Sequence, residues 1–330
     1  MKKPAHIIGA DISKGTIDLF YDGSQSHIKI KNNPAGFKEL LHWFTLHQIN
    51  LHSAVVVMEC TGLYSFHFEN FLHAHQIRFA KVNALAIKRS LGLTRGKNDK
   101  VDAQRIARYG FEKLDTLIFQ YPQDPGLQRL QMLHITRERL VRQRASIICA
   151  VKEYRVVLKV TDPIIGSQLK LIKDFTQQIK TMDQAIQNQI IKSGEPLRRN
   201  FELLTSIKGV GKVVATATII KTKNFTSFKN GRRFSCYCGS APFEHSSGKS
   251  IRKKTRISHL ADKTMKTLLT QSAKTAIQYD KELKDYYQRR TQMGKSRLST
   301  INVVRNKIIH RMFAVIKRQT PFVEQYLKTA

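Results

Sequence analysis

Acidic residues are few for a chain of this size and this basic. Its 330 residues carry 57 Lys and Arg against 24 Asp and Glu, a formal net charge of +33. A charge balance this one-sided predicts a polyanionic partner, with counterion release supplying much of the affinity. Cysteine is scarcer still: Cys60, Cys149, Cys236 and Cys238 are too few and too scattered for a disulfide framework. The pair Cys236-Tyr-Cys238 has no second Cys or His pair at structural zinc spacing, so the thiols are expected to be free and buried. No apolar run approaches the roughly eighteen residues of a membrane span, and no charged-then-apolar leader opens the sequence. The expectation is a cytoplasmic protein with no membrane partner. Hydrophobic residues at 41% are enough to build folded cores.

Because acids are scarce, their positions carry information. Asp11 ends the apolar run His6-Ile-Ile-Gly-Ala10, and Glu59 ends Ala54-Val-Val-Val-Met58. Asp99 and Asp102 stand three apart in Lys97-Asn-Asp-Lys-Val-Asp-Ala103. Carboxylates at the ends of two strands, joined by two more on one helical face, supply the hard oxygen ligands that Mg²⁺ takes. Held near phosphate, such ions support in-line displacement at phosphorus. Singly, each acid reads more simply as a turn or cap residue. Taken together and in this strand order, the metal-binding reading is the stronger one.

The apolar pattern gives that order. Segments 6–11, 16–21 and 27–31 read as three strands separated by polar and glycine-containing turns. Pro34 then opens a helix on which Phe37, Leu40, Leu41 and Phe44 recur at threes and fours. Segment 54–58 reads as a strand covered on both faces, 64–75 as a helix, 77–82 as a strand and 99–111 as a helix. Three antiparallel strands followed by helix–strand–helix–strand and a closing helix is the order of a ribonuclease H-like (RuvC-like) α/β domain, placed here at 1–122. Residues 123–195 read as a helical hairpin or coiled coil, with Ile165, Leu169, Ile172, Phe175, Ile179, Met182, Ile186 and Ile190 stepping by threes and fours. The remainder, 196–330, reads as a mostly α domain. It opens with a helix–hairpin–helix signature, Ile207-Lys-Gly-Val-Gly211, whose Lys208 and Lys212 bracket a tight turn suited to phosphate. Charge concentrates here: residues 206–330 hold 27 Lys and Arg against 6 Asp and Glu.

Within that last region, Ser246-Ser-Gly248 is followed by Lys249, Arg252, Lys253, Lys254 and Arg256, placing hydroxyls beside a basic, phosphate-binding stretch. Serine in a glycine turn is ordinarily a loop residue, and no general base adjoins it in sequence. Yet Ile8-Gly-Ala-Asp11-Ile-Ser-Lys14, Met58-Glu59-Cys-Thr-Gly62, Lys97-Asn-Asp99-Lys-Val-Asp102-Ala, the glycine hairpin and Gly239-Ser-Ala-Pro242 leading into Ser247-Gly248 follow one another in a known order. In this the chain resembles the DEDD transposases of bacterial insertion sequences, the family that includes pilin-gene invertases and bridge-RNA-guided recombinases.

The resemblance implies a recombinase that mobilises its own element. Asp11, Glu59, Asp99 and Asp102 would bind Mg²⁺, and Ser247 would form a phosphoserine link to DNA. It also implies a homo-oligomer, dimer or tetramer, working in the bacterial cytoplasm on donor and target DNA with a structured non-coding guide RNA. Two other readings compete. A structure-selective nuclease of the ribonuclease H-like class would need the four acids and water alone. A basic architectural binder would leave the placement of the carboxylates without a purpose.

Overall fold

A computed structural model describes residues 6–60, 62–90, 98–120, 124–247, 251–256 and 260–323, with backbone alone for 243–247 and 251–256. The chain divides into two compact units, Met1–Gln123 and Asp124–Ala330.

The first unit is built on a five-stranded mixed sheet. Strands β1 (His6–Ile12), β2 (Thr16–Tyr21) and β3 (Ser26–Lys31) run antiparallel in sequence, and β4 (Ala54–Glu59) and β5 (Arg78–Val82) add in parallel beyond β1. The spatial order is β3-β2-β1-β4-β5. Side chains alternate across the sheet. Ile8, Ala10, Ile12, Val56 and Met58 meet Phe37, Leu40 and Phe44 of α1 (Pro34–Leu46), with Phe68 and Leu72 of α2 (Phe66–Ala74). The opposite set, Ile7, Val55 and Val57, packs with Ile106 of α4 (Asp99–Glu112), which follows a short α3 (Ala84–Ser90). Both faces of β4 are therefore covered, which is why its sequence is continuously apolar.

Close contact on the α4 side depends on missing side chains. A Cβ added at Gly9 would lie 2.1 Å from the Ala103 carbonyl oxygen and 2.3 Å from the Ala107 nitrogen. The helix rests almost directly on the β1 backbone, with small residues Ala103, Ala107 and Gly110 turned inward. Some local expectations shift. The 64–75 helix begins only at Phe66, because Gly62–Ser65 forms a 3₁₀ turn, and α3 carried no periodic signal long enough to read. Of the four thiols expected to be buried, Cys238 is, whereas Cys60 and Cys149 are exposed.

The second unit is mostly helical. Asp124 and Asp162 cap α5 (Pro125–Tyr154) and α6 (Pro163–Lys192), each accepting a backbone N–H ahead of it, with proline at the first helical position. The helices run antiparallel: Arg137 bonds Asp183, Arg144 bonds Thr176, and Gln189 bonds the Gly126 carbonyl. Ile165, Ile179, Ile186 and Ile190 are buried as the stepping pattern requires, but Leu169 is 38% exposed. The pattern there falls where the hairpin lacks a third layer. At the other end Leu127, Leu130, Leu133, Ile186 and Ile190 share one core with α7 (Glu195–Thr205), α8 (Lys212–Thr222), α10 (Lys263–Tyr279) and α12 (Arg297–Arg318). Helix α9 (Gly231–Tyr237), the hairpin β6 (Phe243–Ser247) and β7 (Ile251–Arg256), and α11 (Lys281–Gln292) complete the unit. Among the described residues no helix is long and apolar enough to cross a membrane.

Candidate active site

Strand alternation decides which acids meet. On β1, Ile7, Gly9 and Asp11 share the face that α4 covers, and on β4 so do Val55, Val57 and Glu59. The pairing Ala10–Met58 brings the two strand ends level, so that Asp11 and Glu59 leave the sheet side by side. Helix α4 starts over them. Asn98 caps it by accepting the Lys100 amide, and Asp99 and Asp102 fall in its first turn, where the helix dipole favours negative charge.

The four carboxylates share one electrostatic field, and Asp11 is at its centre. Its carboxyl is pushed up to about 6 from the usual 3.8, first by partial burial and then by repulsion from Asp102, Glu59, Asp99 and Asp18. Asp18 sits directly opposite Asp11 on β2 and is 4% exposed. Neighbouring side chains hold parts of the cluster. Lys29 Nζ lies 3.3 Å from Asp18 and 3.6 Å from Asp99, His27 Nε2 lies 2.9 Å from Asp18, and Arg105 donates to Asp102 at 3.0 Å. Among the described residues, no three His, Cys, Asp or Glu side chains are gathered tightly enough to form a ready metal cage. The donor set nonetheless suits a hard divalent ion: the carboxylates are near enough to repel one another, and Asp11, half-buried among them, resists ionisation.

Asp18, Lys29 and Arg105 were missed in reading the sequence. The signal was present, since an acid in mid-strand is disfavoured and Asp18 shares the alternation phase of Phe20, which packs on α4.

In the second unit, Lys208 lies in the turn between α7 and α8, and Lys212 opens α8. Gly209 adopts φ +88°, accepts a 2.6 Å hydrogen bond from Ser272 on its carbonyl, and would clash with α10 if it bore a Cβ. The tight turn is therefore fixed against α10 by a glycine that only that residue type fits. Ser247 ends β6 opposite Ile251. Arg252, Lys253 and Arg256 pair with Ser246, His245 and Phe243, and Lys254 lies between them on β7. Their side chains, and Lys249 altogether, lie outside the described residues.

Two family models match the chain in order. A DEDD transposase model of the IS110 type matches residues 8–159, and the model described as transposase IS116/IS110/IS902 family matches residues 201–288. The pilin gene-inverting proteins of Moraxella bovis and Moraxella lacunata are each 28% identical over 330 residues, covering 96% of this chain and 97% of theirs. Matched in order by two models that together take in well over half of its length, the chain belongs to the IS110-type DEDD transposases, enzymes that act on DNA.

Proposed function

We propose that this transposase is a site-specific recombinase that mobilises its own insertion sequence by cleaving and rejoining DNA through a phosphoserine intermediate. The observation that carries the reading is the carboxylate field around Asp11, in an otherwise cation-rich chain. Asp11, Glu59, Asp99 and Asp102 would hold Mg²⁺. When bound, the ion supplies Lewis-acid stabilisation of charge developing on phosphate oxygens. The strand order and the helix α4 above it support a ribonuclease H-like assignment for residues 1–122. The glycine turn between α7 and α8 supports a helix–hairpin–helix contact through Lys208 and Lys212.

Ser247 is the proposed nucleophile. Its Oγ forms a bond to phosphorus as the bond to the leaving deoxyribose oxygen breaks. The hydroxyl proton passes to a base, and the leaving oxygen takes up a proton. The new ester keeps the phosphodiester energy, so reversal of the step on another DNA end rejoins strands without ATP. Lys249, Arg252, Lys253, Lys254 and Arg256 supply positive charge around the serine. The partners of this reading are donor and target DNA, a structured non-coding RNA that pairs with both, and further copies of the chain in a dimer or tetramer. Its setting is the bacterial cytoplasm.

Substitution Ser247→Ala tests it. The variant is expected to bind nucleic acid normally, trap no covalent protein–DNA adduct on denaturing gels and yield no recombinants, while Ser246→Ala stays active. Cleavage by Ser247→Ala with water-derived phosphate ends would overturn the recombinase reading in favour of a nuclease that uses the acids alone.

A further inference from the structure

A cavity of about 380 Å³ opens between the α5–α6 hairpin and the first turn of α8, lined by His134 and Arg137 from α5, Lys180 and Asp183 from α6, and Lys212 and Thr216 from α8. Two of these side chains bury a polar atom that has no hydrogen-bond partner. Thr216 is 1% exposed, and its Oγ1 makes no hydrogen bond. The other threonines of the same helix do not share this: Thr218 donates to the Val214 carbonyl and Thr222 to that of Thr218. His134 is 4% exposed with an unpartnered Nδ1. Buried polar groups are nearly always satisfied, so two orphans on residues that line one cavity ask for a ligand.

The chemistry of the walls says which kind. Gly211 gives α8 no side-chain cap, and the first helical bond at this end runs from Ala215 to the Gly211 carbonyl. The amides of Lys212 and Val213 thus lack helical acceptors beside the cavity, where the helix dipole favours an anion. Lys180 and Lys212 have no carboxylate partner among the described residues, whereas Asp183 is neutralised by Arg137. Burial, reinforced by Arg137 and Lys221 against the pull of Glu138, keeps the His134 ring neutral. Its Nε2 is 3.6 Å from Glu138, too far for a hydrogen bond to fix that nitrogen as the donor. An oxyanion therefore selects the form that donates from Nδ1.

We propose that this cavity is a phosphate-binding subsite that grips one backbone phosphate of the nucleic acid, through the amides of Lys212 and Val213, the Thr216 hydroxyl, His134 Nδ1–H and the two lysines. The inference rests on the nucleic-acid reading above and adds to it a site between α8 and the α5–α6 hairpin.

The test is a titration of the ¹⁵N-labelled full chain, following the His134 ring nitrogens and the Val213 amide. One arm uses inorganic phosphate and the other a short single-stranded oligonucleotide. Both are expected to move these signals saturably, with phosphate competing against the strand. Thr216→Val removes one hydroxyl at constant shape and Lys180→Gln alters an exposed side chain. Each is expected to weaken strand binding roughly fivefold, with no fall in the melting temperature. A strand that binds both variants as tightly as wild type, without moving His134, would overturn the subsite and leave the recombinase reading intact. Signals that respond to phosphate but not to the strand would overturn the nucleic-acid source. Failure of any strand to bind the chain would remove both readings together.

Discussion

At the scale of single residues, Asp11 ties stability to activity. Its carboxyl titrates near 6 in the folded chain, against an ordinary 3.8. The raised value means that the stability this group contributes is fully present below about pH 3.8 and is lost as pH rises through about 6. Asp11→Asn should therefore raise the stability of the metal-free protein by about 1–2 kcal/mol above pH 6 and change little near pH 4. Urea unfolding at the two pH values measures this, and an equal effect at both would show that repulsion is not the cause. The same variant is expected to lose strand cleavage. Asp11 and Glu59 were legible in the sequence because each ends an apolar run. Asp18 was not, because a lone acid flanked by Ile17 and Leu19 looks like an ordinary solvent-facing strand position until α4 is seen to cover that face.

Among elements, the docking of α4 on β1 is the joint that matters most. A methyl group at Gly9 would meet backbone atoms that no rotamer change can move. Gly9→Ala should cost about 1–3 kcal/mol and shift Asp99 and Asp102 away from Asp11, so that cleavage falls by more than the loss of folded protein explains. Activity that tracks the folded fraction alone would contradict this. The glycine's role could not be read from sequence, because it is set by a helix nearly a hundred residues further on.

The α5–α6 hairpin offers a second joint. Between the two helices Val156 is 83%, Val157 79% and Val160 62% exposed. Apolar side chains clustered at such a tip fit a contact between copies of the chain. Val156→Asp combined with Val157→Asp is expected to lower the mass seen by light scattering while changing stability by less than about 0.5 kcal/mol. An unchanged mass would show that the tip joins no two copies. The helical stepping pattern revealed the hairpin. It overstated how far the buried seam extends, because periodicity shows that a face is apolar and not that something covers it.

For the whole molecule, the excess of 33 positive charges is the governing property. Binding to duplex DNA should weaken steeply with salt, by about 0.9 in the log–log slope for each phosphate neutralised. Charge reversal at Lys253 and Lys254 should lower affinity for all sequences alike and flatten that slope. A slope unaltered by the reversal would remove β7 from the binding surface. Composition made this partner class plain, and the boundary near residue 122 was legible too, whereas the joining of 123–195 with 196–330 in one compact unit depended on which helices share a core. The hairpin has one more consequence at this scale. Helices α5 and α6 are 30 residues each, so the tip stands about 45 Å from the base. That length matches about thirteen base pairs of duplex. Were both ends of such a hairpin to touch one duplex, the spacing of the two contacts would be set by helix length and not by the sequence between them.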